Sequence, residues 1–141
     1  MIPNTKDRRG FTLLELLIVI AIIGILVAMG TVSYSTAQKR ARDSKRQGDM
    51  KAIQNAFEQY YAAHSGSYPG SPCPNPLPIQ SDNSFSIPTD PKNVSPYVYS
   101  SSCSSTSYCF CARLESGGGN SAANCNFAGS PKDYFCVKNL Q

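Results

Sequence analysis

The 141-residue sequence predicts an α+β fold in which one long N-terminal helix packs on a small antiparallel sheet braced by disulfides. Three observations predict it. No proline interrupts residues 11–68, all six cysteines lie in the second half of the chain, and three short β-type segments follow the helix. Much of the 41% apolar content belongs to one early run, so the globular part must be small.

Residues 11–29 are predicted to form the first, membrane-spanning part of this helix. They are an apolar run with a single charged residue, Glu15. As a helix the run would be about 28 Å long, enough to cross a bilayer core. A secretory signal peptide also starts with a basic head, but it ends in a small-residue cleavage site, which this run lacks. We therefore assign residues 11–30 to a transmembrane half of the helix.

Residues 31–65 are predicted to continue the helix as an amphipathic half. Apolar and small residues recur in steps of three and four, which places them on one helix face. The predicted stripe comprises Tyr34, Ala37, Ala41, Ser44, Gly48, Met50, Ile53, Phe57, Tyr60 and His64. Gly66 supplies a C-cap and Pro69 follows it, so we expect the helix to end near Ser65–Gly66.

Residues 66–141 are predicted to form a loop and a small sheet. Most of the prolines lie in residues 69–96, which we expect to be a surface connection without long secondary structure. Strands are predicted at 97–101, 107–115 and 133–139. In the middle strand Tyr108, Phe110, Ala112 and Leu114 alternate with cysteines and charged residues, so its apolar face should lie on the helix.

The cysteines predict three disulfides and an oxidising compartment, because an even number is confined to a small, loop-rich region. They are Cys73, Cys103, Cys109, Cys111, Cys125 and Cys136. Their connectivity stays open at this point. A zinc site is the alternative, but the closest pair, Cys109 and Cys111, lacks the spacing of a zinc knuckle. We therefore expect no metal.

A short motif before the apolar run carries the strongest functional signal. Arg9-Gly10-Phe11-Thr12-Leu13-Leu14-Glu15, followed by LLIVIAIIGIL, resembles the prepilin signal of type IV pilins and of type II secretion pseudopilins. AFEQYY at 56–61, GSYP at 66–69, PTDP at 88–91 and PYVY at 96–99 are similar to segments of major pseudopilins and related short pilins. The resemblance implies a type IV pilin-like fold. Two features depart from the family: Val32 stands where many members carry a proline, and six cysteines exceed their usual single pair.

The resemblance implies that a prepilin peptidase cuts after Gly10, removes a leader of residues 1–10 and methylates the new N-terminus, Phe11. It also implies that Glu15 meets the N-terminal amine of a neighbouring subunit during assembly. A carboxylate at this membrane depth is costly unless it is paired, and cleavage frees an amine one helical turn away. The precursor would lie in the cytoplasmic membrane as a single-pass protein with its C-terminal domain outside.

The leading hypothesis is a pilin, the structural subunit of a type IV pilus-like filament. Its partners would be copies of itself in a helical filament, the inner-membrane assembly machinery and, before assembly, the lipid bilayer. A pseudopilin of a type II secretion system is the first alternative, and the assembled form would then be a periplasmic pseudopilus instead of an extracellular pilus. A monomeric, membrane-anchored extracytoplasmic binding module is the second. We expect no enzyme and no cofactor, because the sequence offers no nucleophile with a base.

The basic residues that follow the apolar run are expected to form ion pairs. Lys39, Arg40, Arg42, Lys45 and Arg46 are interspersed with Asp43 and Asp49, which favours pairing within the helix or between subunits. DNA is a possible partner that this number of residues does not support. We expect Asp90 and Asp133 in a solvated acidic loop, with calcium binding as the alternative.

Overall fold

The computed structural model of the chain describes residues 10–81 and 83–141. One helix and five strands follow one another along the chain: α1 (Leu13–Ala63), β1 (Leu77–Gln80), β2 (Asn83–Phe85), β3 (Ser100–Cys103), β4 (Tyr108–Arg113) and β5 (Tyr134–Lys138). The helix is continuous over 51 residues. The predicted α+β class, with a long N-terminal helix and small antiparallel sheets, is confirmed.

The chain forms two compact units, one ending at Ala37 and one extending from Gln38 to Gln141. In the first unit the apolar side chains are exposed; Leu13 at the start of α1 is 85% accessible and Phe11, just before the helix, is 91% accessible. By length and composition alone, α1 is able to cross a membrane. The exposed run is far larger than an ordinary surface patch and needs lipid or protein to cover it.

The core of the second unit lies between α1 and the face of β4. Phe57 of the helix has its ring centre 4.7 Å from that of Tyr108 and 5.0 Å from that of Phe110. All three side chains are buried, as are Ala112 in β4 and Leu114 directly after the strand. The predicted apolar face of this strand, and its contact with the helix, are confirmed.

The strand order of the main sheet is β3-β4-β5, with antiparallel pairing throughout. The predictions for the second and third strands agree with β4 and β5 to within two residues. The first strand was predicted at 97–101, but β3 begins at Ser100. The reason is a tight turn, in which the N–H of Tyr97 donates to the carbonyl of Val94 at 2.6 Å and takes this residue out of the sheet.

The prediction that residues 69–96 form only a connection is wrong in one place. Strands β1 and β2 pair there as a short antiparallel hairpin. Leu77 and Ile79 alternate with exposed residues and are buried in the core. Neighbouring prolines concealed this alternation, since they argue against a strand when only the sequence is read.

The prediction of a buried stripe is also wrong in the N-terminal part of the amphipathic half of the helix. Ala41, Ser44 and Gly48 are exposed, and the buried face runs instead through Asp43, Arg46, Met50, Ile53 and Phe57. The spacing of three and four residues was correct, but the first two positions of this face are charged. The helix end agrees with the prediction, because Gly66 has a φ of 77° and its N–H donates to the carbonyl of Tyr61.

Candidate functional site

Thr12 and Glu15 form a reciprocal cap at the start of α1. Oε2 of Glu15 accepts hydrogen bonds from the backbone N–H and the hydroxyl of Thr12, both at 2.9 Å. In return, the Oγ1 of Thr12 accepts from the N–H of Glu15 at 3.2 Å. This is a capping box, which satisfies N–H groups that a helix leaves unpaired at its first turn. The sequence signature, Thr-x-x-Glu before an apolar run, was present but was not used in the prediction.

The second carboxylate oxygen of Glu15 is left without a hydrogen bond among the described residues. Both bonds from Thr12 go to Oε2, so Oε1 is available to a further donor. The cap also holds the carboxylate at the helix N-terminus, where the helix dipole favours negative charge. The Glu15 carboxylate therefore has a fixed orientation and one oxygen without a hydrogen bond from the described residues, on a helix whose apolar side chains are exposed.

Gly10 and Phe11 precede the first helical turn and are exposed. A Cβ atom added at Gly10 would meet no described atom within 4 Å, so packing within the chain does not require glycine at this position. A requirement for glycine would have to come from a partner that approaches the backbone closely, as a peptidase does.

In the second unit, six charged residues form a compact group that we call the charged cluster: Arg42, Asp43, Arg46, Asp90, Lys92 and Glu115. Arg46 is at its centre and is fully buried. Its guanidinium binds Asp90 through two bonds of 2.6 and 3.0 Å, and also donates to Asp43 at 2.8 Å and to Glu115 at 2.9 Å. The cluster therefore ties the helix to the segment after β2 and to the end of β4.

Glu115 joins the remaining two cations to the cluster. Arg42 donates to its two oxygens at 2.6 and 2.8 Å, and the ammonium of Lys92 lies 2.6 Å from Oε2. Three cations thus match three carboxylates. The aromatic ring of Tyr97 lies 5.0 Å from the Arg46 guanidinium and 4.5 Å from the Lys92 ammonium, which adds cation–π contacts.

Hydrogen bonding lowers the pKa values of the three carboxyl groups in the cluster, which favours their charged forms. The Arg42 hydrogen bonds, with those of Lys92 and Arg46, hold the pKa of Glu115 far below its usual value. Burial acts to raise the pKa of Asp90, but the Arg46 guanidinium and backbone N–H donors outweigh it, and the net shift is downward. Burial also acts to raise the pKa of Asp43. Hydrogen bonds from Ser116, the Glu115 backbone N–H and Arg46 outweigh it, so this pKa is lowered too.

The cluster corrects one prediction and refines another. Asp90 is not in a solvated acidic loop, because its carboxylate is buried against Arg46. The predicted pairing of the basic residues with Asp43 is confirmed for Arg46, but Asp49 instead accepts from the hydroxyl of Tyr99 at 2.7 Å. No local pattern in the sequence indicated Asp90 or Glu115, which lie 44 and 69 residues from Arg46.

We expect the free energy of unfolding of the second unit to fall as the pH drops below about 4.5, the ordinary range of the carboxyl groups. Asp43, Asp90 and Glu115 have folded-state pKa values below their unfolded ones. Their contribution is therefore complete above the unfolded pKa and is lost as the pH falls through the folded pKa. Thermal unfolding followed by near-ultraviolet circular dichroism of the tyrosines, from pH 7 to pH 2, measures this.

Two variants connect the acid sensitivity to the cluster. Asp133→Asn removes a carboxylate outside the cluster and should leave the pH profile unchanged. Asp90→Asn should lower stability at pH 7 and flatten the profile, since one of the three shifted groups is gone. A melting temperature that stays constant down to pH 3 in the unmodified chain would contradict the expectation.

All six cysteines are paired in the structure, as Cys73–Cys103, Cys109–Cys125 and Cys111–Cys136. The first bond ties the segment before β1 to β3, and the third joins residues that face each other in β4 and β5. The sulfurs of Cys109, Cys111 and Cys125 are close enough together to hold a metal ion, but each is already bonded to another sulfur. The arrangement favours disulfides over the zinc alternative.

The loop between β4 and β5 is fixed against the outer edge of β5. The side-chain amide of Asn120 donates to the carbonyl of Cys136 at 2.8 Å and accepts from its N–H at 2.7 Å. Gly119 passes so close that an added Cβ would lie 2.0 Å from the carbonyl oxygen of Tyr134. The loop therefore requires glycine there, and it pairs the outward backbone groups of Tyr134 and Cys136 on this edge.

Comparison with known proteins finds a sequence motif in the N-terminal segment that contains Thr12 and Glu15. Residues 5–31 match the prokaryotic N-terminal methylation motif. Over this segment the chain is similar to proteins that carry the motif. The matched segment contains the capping box and the first, exposed part of the apolar helix.

Curated relatives include pilin, fimbrial and type II secretion system proteins. The chain is 41% identical over 55 residues to the type IV major pilin protein PilA of Myxococcus xanthus, an alignment that covers 39% of this chain and 25% of that one. It is 41% identical over 64 residues to a fimbrial protein of Neisseria meningitidis (45% and 37% covered). It is 38% identical over 56 residues to type II secretion system core protein G of Escherichia coli (40% and 39% covered).

Each of these alignments covers less than half of this chain. The chain spans between a quarter and two-fifths of the length of these relatives. No solved structure is significantly similar to the chain. The disulfide pattern and the charged cluster are therefore described from this structure alone.

Proposed function

We propose that the protein is the structural subunit of a type IV pilus-like filament, assembled from a membrane-inserted precursor. The observation that carries the proposal is the exposed apolar helix whose first turn contains the capped Glu15 and whose beginning lies within a methylation motif. A membrane anchor alone needs neither a glycine before the helix nor a carboxylate inside it. Both are useful when the precursor is cut and the mature helix joins others.

Residues 11–29 have two successive environments in this proposal. In the precursor they cross the cytoplasmic membrane, because exposing an apolar run of nineteen residues to water is unfavourable. In the filament, copies of the same segment cover one another in a central bundle, and the sheet regions face outward. The precursor has its second unit outside the cytoplasm, where the three disulfides are stable.

The processing steps are assigned to residues at the helix start. Prepilin peptidase cleaves between Gly10 and Phe11, releases residues 1–10 and methylates the amine of Phe11. The charged amine of an incoming subunit then pairs with the free Oε1 of Glu15 on a neighbour. The partners are thus copies of the chain, the peptidase and the inner-membrane assembly machinery, and DNA has no supported role.

The similarity to core protein G supports a second candidate, a pseudopilin of a type II secretion system. The motifs at 56–69 and 88–99 point the same way, while a disulfide-braced surface suits a filament exposed outside the cell. Deleting the gene in its host separates the two: a pilin deletion removes surface filaments, and a pseudopilin deletion leaves secreted enzymes inside the cell.

Intact-mass spectrometry of the protein isolated from its own host tests the processing. We expect a mature chain that begins at Phe11 and carries one added methyl group and three disulfides. A matched variant, Gly10→Ala, should accumulate at the precursor mass in the membrane, because the peptidase needs close access to this backbone. A native chain that retains residues 1–10, or one cut beyond Met29, would contradict the proposal.

A further inference from the structure

An open groove of about 310 Å³ lies in the second unit between α1 and β5. Lys51 and Gln54 line it from the helix, and Phe135 and Lys138 line it from the strand. Phe127 contributes from the loop that covers the edge of β5, and Leu140 lines the groove from the segment after this strand. Its volume is at the lower end of the range for small-ligand sites, about 300–1,000 Å³.

The groove has a net positive charge, whereas the cations and carboxylates of the charged cluster balance one another. Lys51 and Lys138 are exposed, neither forms an ion pair among the described residues, and no Asp or Glu lines the groove. The ammonium of Lys138 lies 5.3 Å from the ring centre of Phe127, so a cation–π contact holds it near the groove. Two cations beside apolar rings form a surface complementary to an anion with an apolar face.

The walls are already fixed by hydrogen bonds. Gln54 donates from Nε2 to the carbonyl of Lys138 at 2.9 Å, which joins the helix to β5. Glu58, one turn farther along α1, accepts from the hydroxyls of Tyr68 and Tyr108 and from the N–H of Leu140. This acid forms no ion pair with either lysine among the described residues, and its bond to Leu140 fixes the segment that carries this residue. A preformed groove loses less conformational entropy when a ligand binds.

We propose that this groove binds an acidic saccharide unit. The carboxylate pairs with Lys51 and Lys138, and the apolar C–H face of the sugar ring lies against Phe127 and Phe135. The Oε1 of Gln54 has no partner among the described residues and can accept from a sugar hydroxyl. A nucleic acid is less suited, because its phosphates need a continuous track of cations and this groove supplies two.

The proposal does not rest on filament assembly and is tested on the unassembled full-length chain in non-ionic micelles. Isothermal titration calorimetry compares trigalacturonate with neutral maltotriose. We expect binding of trigalacturonate only, weakened about fivefold by Lys51→Gln or Lys138→Gln, the size of one exposed ion pair. Lys132→Gln is the control, since it removes the same charge at an exposed position outside the groove.

Three outcomes would overturn the proposal. The first is no binding of trigalacturonate, or binding that Lys132→Gln weakens as much as the groove variants do. The second is tighter binding of hexathymidylate with the same lysine dependence, which would make the groove a nucleic-acid site. The third is loss of trigalacturonate binding in assembled filaments, which would make it an interface between copies. Failure to process residues 1–10 would test the proposed function instead and would leave this result standing.

Discussion

Replacing Glu15 with glutamine is expected to abolish filament assembly while the chain still inserts into the membrane. Removing a charge makes the span more apolar, so insertion should be unimpaired. Assembly should fail because the amine of each incoming Phe11 would enter the apolar bundle without a counter-charge. An unpaired buried ammonium costs several kcal/mol, enough to prevent stable addition of a subunit.

The capping box allows the charge of Glu15 to be separated from its structural role. Glutamine can replace glutamate as the third residue of a capping box, so Glu15→Gln keeps the helix cap. Glu15→Val removes both the cap and the charge. If the ion pair drives assembly, both variants insert and neither forms filaments. If only the cap matters, Glu15→Gln assembles and Glu15→Val does not.

Insertion and assembly must be measured separately, by membrane fractionation and by shearing filaments from cells that express the variant as their only subunit. Thr12→Ser is the matched control, because a serine hydroxyl can make the same cap. It should assemble normally. Normal sheared filaments from Glu15→Gln would show that the ion pair is not required and would leave methylation of Phe11 as another role for Glu15.

The long helix and the apolar face of β4 could be predicted because both depend on local periodicity. Absence of proline fixed the extent of α1, and alternation fixed which side chains of β4 face the helix. The cysteines predicted disulfides by number and location, but their pairing needed the three-dimensional structure. The alternation of Leu77 and Ile79 with exposed residues is also a local pattern, but the adjacent prolines favoured a loop over a strand.

The charged cluster could not be predicted, for a physical reason. Asp43 and Arg46 have the spacing of the buried helix face, but they are charged. A search for apolar residues therefore places the buried stripe on other positions. Their partners Asp90 and Glu115 come from distant segments that only the fold brings together. The Thr12–Glu15 cap is different, since its spacing could be read directly from the sequence.

Arg46→Met is expected to destabilise the second unit by about 3–5 kcal/mol, the usual cost of removing one partner from a buried ion pair. Methionine leaves Asp90 buried without its two hydrogen bonds from the guanidinium, and Asp43 and Glu115 each lose one. Small domains are stable by about 5–15 kcal/mol, so a loss of this size is a large share of the total. Urea unfolding of the full chain in micelles, with disulfides intact, measures it through the near-ultraviolet tyrosine signal.

Two further variants decide whether the loss comes from the buried charge. Lys45→Met changes the neighbouring residue, removes the same charge and is exposed, so it should alter the free energy of unfolding by less than about 0.5 kcal/mol. Arg46→Met combined with Asp90→Leu removes the cation and its main carboxylate together, and should recover at least half of the loss because an apolar pair can replace a buried ion pair. If the double variant is no more stable than Arg46→Met alone, the cost does not arise from the unpaired Asp90. If Arg46→Met unfolds at the same urea concentration as the unmodified chain, the cluster does not stabilise the unit.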